Sequence, residues 1–60
     1  MSTKGLAKIQ VQDYTGNFVT VSTTTMSDQI IFRAIASAKR TFKGKIVRAL
    51  DPEGNVIQLQ

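Results

Sequence analysis

Sixty residues are enough for one domain and sit near the lower limit for a core that stands without covalent staples. The chain has neither cysteine nor histidine, which removes disulfides, thiolate and imidazole metal sites, and histidine-based acid–base chemistry. Eight Lys and Arg against four Asp and Glu give a net charge of +4, and the span Gln29 to Leu50 carries six basic residues and no acid.

Met1 to Gly5 reads as a loose lead-in. From Leu6 the pattern alternates, with Ala7, Ile9 and Val11 on one side and Lys8, Gln10 and Gln12 on the other, which predicts a half-buried strand. Asp13-Tyr14-Thr15-Gly16-Asn17 then has the composition of a hairpin turn with Gly16 in the left-handed position. Pairing Asp13 with Asn17 sets Val11 opposite Val19, Ile9 opposite Val21 and Ala7 opposite Thr23, so that the apolar pairs share one face.

Ser27 to Phe42 predicts the single helix. Ile31, Ala34, Ile35, Ala38 and Phe42 fall on one helical face. Ser27 is placed to cap the N-terminus, with Met26 and Ile31 as a hydrophobic staple and Thr25 with Asp28 as a competing capping box. Lys39, Arg40 and Lys43 suit the negative end of the helix dipole, and Gly44 supplies a stop.

The first device then returns. Lys45 to Leu50 reads as a strand, Asp51-Pro52-Glu53-Gly54-Asn55 as a turn and Val56 to Gln60 as the return strand, with Ala49 opposite Ile57 and Val47 opposite Leu59. Both turns read D-x-x-G-N followed by two apolar residues, and convergence on one turn chemistry explains this better than duplication, because the strands match only in pattern.

The expected architecture is a single α+β domain, ββαββ, with a four-stranded antiparallel sheet in the order 2-1-3-4, a right-handed crossover and one helix packed on one face. A 16-residue helix spans roughly 24 Å and a seven-residue strand roughly 23 Å, so the two match in length. The expected core is Ala7, Ile9, Val11, Val19, Val21, Ile31, Ala34, Ile35, Ala38, Phe42, Val47, Ala49, Ile57 and Leu59.

Function is sought in what this core leaves over. The second sheet face is expected to carry Leu6, Lys8, Gln10, Gln12, Phe18, Thr20, Ser22, Ile46, Arg48, Leu50, Val56, Gln58 and Gln60. Lys8 and Arg48 on the two central strands, with Phe18, Tyr14 and Lys45 near them, suit a platform for single-stranded nucleic acid. Ile46, Leu50 and Val56 on the same face suit self-association as a homodimer instead. Arg33, Lys39, Arg40 and Lys43 form a second basic surface on the helix, and Phe32 is expected to close the margin of the core.

Catalysis has little to stand on. Asp13, Asp51 and Glu53 belong to turns and Asp28 to a helix start, and no histidine activates the many Ser and Thr. No apolar run approaches the roughly 18 residues of a membrane span, and MSTKG lacks a signal-peptide core. The expectation is a cytoplasmic, non-enzymatic protein with no cofactor, no metal, no small-molecule substrate and no membrane partner.

In its strand–strand–helix–strand order the chain resembles small phage-encoded proteins, among them the T7-type inhibitors of host RNA polymerase. The stretches VQDYTGNFVTVSTTT and IVRALDPEGNVIQL are also similar to small phage open reading frames. The resemblance implies a host-cytoplasmic protein that binds and modulates a host enzyme. The T7-type proteins use acidic and Arg contacts and this chain is basic, so no functional residue carries over. The leading expectation is nucleic-acid binding, followed by a host protein partner and then a homo-oligomeric structural role.

Overall fold

A computed structural model describes residues 5–59 of the chain. The elements are β1 (Ala7–Gln12), β2 (Phe18–Thr24), α1 (Asp28–Thr41), β3 (Val47–Leu50) and β4 (Val56–Leu59). The strands form one antiparallel sheet in the order β2-β1-β3-β4, as the pattern predicts. Of the expected lead-in, residues 1–4 lie outside the described residues. Gly5 does not float free: a Cβ there would lie 2.7 Å from Cβ of Pro52, so the chain enters the sheet pressed against the second turn.

Two matching turns define the hairpins. Asp13 and Asp51 each donate their backbone N–H to the carbonyl of Asn17 and Asn55, at 2.8 and 2.9 Å. Each aspartate then accepts at Oδ1 from the N–H groups two and four residues on: Thr15 and Asn17 at 2.9 and 3.0 Å, Glu53 and Asn55 at 3.0 and 2.8 Å. Closing the loop needs positive φ at the fourth residue, and Gly16 and Gly54 both sit at +93°.

Away from the turns the register departs from strict alternation. Val11 faces Val19 as expected, but Ile9 faces Ser22 and Ala7 faces Thr24, so Val21 is an extra residue in β2. In the second hairpin Leu50 faces Val56 and Ala49 faces Gln58, which makes Ile57 the extra residue in β4, and Arg48 faces Leu59. Each bulge lies in an edge strand, where the ladder is free on one side to absorb it. The bulges reassign faces: Ser22 and Gln58 move to the helix side, and Leu59 moves from the expected core to the open face.

Helix α1 starts at Asp28 after Ser27, whose extended backbone accepts the first bond from Ile31 N–H at 2.8 Å. The Ser27 hydroxyl makes no cap, Met26 stays exposed rather than stapled, and the helix ends at Thr41, before Gly44. Ile31, Ile35 and Ala38 are buried against Ala7, Ile9, Val11, Val47 and Ala49, with Ala34 and Phe42 packed at the margin.

Val19, Val21, Ile57 and Leu59, expected in this core, are exposed. The cause is width. The outer strands of a four-stranded sheet are roughly 14 Å apart, and one helix is about 10 Å across. Helix α1 packs on β1, β3 and β2 and makes no close approach to β4. Phe32 does not close the core either. It is 60% exposed and overhangs a groove of about 420 Å³ that it lines with Ile31 and Ile57.

Candidate nucleic-acid interface

The face of the sheet away from α1 is built by register. Strand β1 sets Gln10 between Arg48 of β3 and Thr20 of β2, and sets Gln12 opposite Phe18. Those neighbours join into one chain of contacts. The Gln10 amide donates from Nε2 to Thr20 Oγ1 at 3.0 Å, which turns its Oε1 towards β3 to accept from Arg48 Nε at 2.8 Å. The guanidinium so held reaches across β1, with Cζ 3.8 Å from the centroid of the Phe18 ring. Ring quadrupole and amide together hold the cation in place. Arg48 commits Nε to Gln10, and the donors on its two Nη atoms are suited to an anion.

The other expected residues divide between the two ends of this face. At the end nearest the first turn Phe18 lies on this face, with the 92%-exposed Tyr14 in the turn beside it; Lys45 precedes Ile46, whose carbonyl accepts from Gln12 N–H at 2.9 Å, and is one position out of phase with it. At the far end Lys8 is exposed opposite Leu50 and Thr23, outside the Gln10 network. Arg33, Lys39 and Arg40 are exposed on α1, and Lys43 is exposed in the turn just after it, on the opposite side of the sheet, so the two basic surfaces are separate. No acid lies in any strand; the carboxylates occupy the two turns and the first turn of α1.

Of the apolar trio expected to self-associate, Ile46 and Val56 are exposed. Leu50, which its place on the open face leads one to expect less buried than the core-side Ala49 and Ile57, is only 8% exposed: barely more than Ala49 at 0% and well below Ile57 at 39%, so it is covered within the monomer. It sits on an inner strand between Lys8 and Val56 and is the one buried apolar residue, among those described, outside the helix-side cluster. Leu59, 64% exposed, takes its place in the apolar margin.

Sequence reasoning placed Gln10 and Thr20 on this face as bystanders, whereas they aim the arginine. The signal available was register, since Gln10 is the residue that pairs with both Thr20 and Arg48. Among the described residues no group of three His, Cys, Asp or Glu is placed to hold a metal ion, and no helix is long and apolar enough to cross a membrane. Comparison with protein-family models, curated proteins and solved structures returns no match.

Proposed function

We propose that the chain is a non-catalytic binding module that takes single-stranded nucleic acid on its open sheet face. One observation carries this reading: an arginine fixed against Phe18 and Gln10 at the centre of a face without acids. A preset guanidinium gives up little side-chain freedom on meeting a phosphate or a base, and Lys8 adds a second charge on the same face. The cations of α1 contribute long-range attraction from the other side.

Fluorescence anisotropy with labelled oligonucleotides at two salt concentrations tests it. Lys8→Gln combined with Arg48→Gln is expected to weaken binding uniformly across sequences and to flatten the salt dependence by about 0.7 per lost contact. Arg33→Gln, Arg40→Gln and Lys43→Gln together are expected to do much less. Equal losses from both sets would reduce the interaction to diffuse charge attraction. No binding at near-physiological salt would pass the lead to a protein partner, such as a host enzyme of the RNA polymerase kind.

A second reading is favoured by the exposure of Ile46, Val56 and Leu59 on the same face. Two copies that meet there would form a homodimer, and Leu59→Asp would then leave a folded monomer in light scattering. A wild-type chain that is already monomeric at high concentration removes this reading.

A further inference from the structure

The sequence points to Phe18 as a stacking residue, yet the structure spends a face of its ring on the Arg48 guanidinium. We propose that the stacking surface offered to the ligand is the guanidinium itself. An unpaired base lies on its outer face, and Phe18, Gln10 and Thr20 act as positioning residues. The inference rests on the open face being the nucleic-acid interface and names what that face recognises: a base free of its partner strand.

Three observations lead there. A planar cation has two faces, and among the described residues Phe18 is the one ring stacked on this cation. Its edge is fixed at Nε by Gln10, and Gln10 is fixed in turn by Thr20, so rotation out of the stack breaks the bond to an amide that is itself held in place. Arg48 is also half-buried on an inner strand, which limits the directions from which a ligand reaches it. Guanidinium planes accept bases as aromatic rings do, and the cation adds attraction to the π-face. Lys8, on the same face near the far end, is left to hold backbone phosphate beside the stacked base. A duplex hides its base faces and offers phosphate alone, so the site is expected to favour single strands beyond what charge provides.

The test separates base from backbone. The full chain is titrated with labelled oligothymidylate, with an abasic oligomer of the same length and with a duplex, at two salt concentrations. Oligothymidylate is expected to bind about tenfold more tightly than the abasic strand. Arg48→Lys keeps the charge and removes the plane, and is expected to abolish that preference, the readout being the ratio of the two affinities rather than either one alone. Phe18→Leu keeps every charge and is expected to lose the same preference, with Phe18→Trp restoring it, so the proposal does not hang on one variant. Circular dichroism melts establish that each variant is folded. Equal binding of oligothymidylate and abasic strand by the wild type overturns the stacking proposal and leaves the interface standing. A preference that survives both Arg48→Lys and Phe18→Leu overturns it as well. Absence of binding to every strand removes the interface and this inference together.

Discussion

Asp13 and Asp51 each organise a turn with one carboxylate, and both carboxyl groups are held below the ordinary carboxylate value. For Asp13 the main cause is the Thr15 hydroxyl, which donates at 2.6 Å; for Asp51 it is the Asn55 backbone N–H at 2.8 Å. A depressed folded-state value means that the unfolded chain takes up the proton first. The contribution is therefore present above the unfolded value of about 4 and is lost as pH falls through the lower folded values. Urea midpoints are expected to hold from neutrality down to about pH 4 and to drop below it. Asp13→Asn with Asp51→Asn should flatten that drop, and an unchanged acid limb would refute the assignment. Gly54 gives a cleaner test of the backbone, since no atom lies within 4 Å of an added Cβ and only its φ of +93° resists substitution. Gly54→Ala, and Gly16→Ala at the same angle, are each expected to cost about 1 kcal/mol in chemical denaturation.

At the scale of elements, the hairpins and the helix were legible because their signals are local. D-x-x-G-N fixes a turn, and Ile31, Ile35 and Ala38 fix a buried helical face. The bulges were not legible, because neither Val21 nor Ile57 differs chemically from an ordinary strand residue, and what admits an extra residue is the unpaired side of an edge strand. The Arg48–Phe18 stack was half legible. Both residues could be placed on one face, but their meeting across β1 depends on how a long side chain turns. The reassigned faces make a prediction about two leucines on the open side. Leu50→Ala removes a side chain covered within the monomer and is expected to cost about 2 kcal/mol. Leu59→Ala is expected to fall within about 0.5 kcal/mol of the wild type in the same melt. If the two variants melt alike, the register of β3 on β4 is wrong.

For the molecule as a whole, the nine buried apolar residues among those described form a small core for a chain of sixty. At roughly 0.05–0.15 kcal/mol per residue, a domain of this size holds only about 3–9 kcal/mol in total. Ile35, 1% exposed and central to the helix face, is therefore a large share of it. Ile35→Ala is expected to cost about 2–5 kcal/mol and to remove most of the cooperative thermal transition. A variant that still melts sharply near the wild-type temperature would place the main core elsewhere. The same economy explains why a single helix serves a sheet wider than itself: it covers the inner strands, where burial is greatest, and leaves the outer ones with exposed valine, isoleucine and leucine.

The lack of helix cover over β4 has a consequence in time as well as in space. This strand hangs from the sheet by one short ladder and by Gly5 against Pro52 next to it, so it can detach while β1, β2, β3 and α1 stay folded. Its amide protons should trade with solvent through brief openings that mild denaturant hardly accelerates, whereas those of Ile9 and Val47 should wait for the whole domain to unfold. Each such opening uncovers Leu50 and removes Leu59 from beside Arg48. The open face thus has one fixed wall, formed by β1 and β2, and one wall that swings.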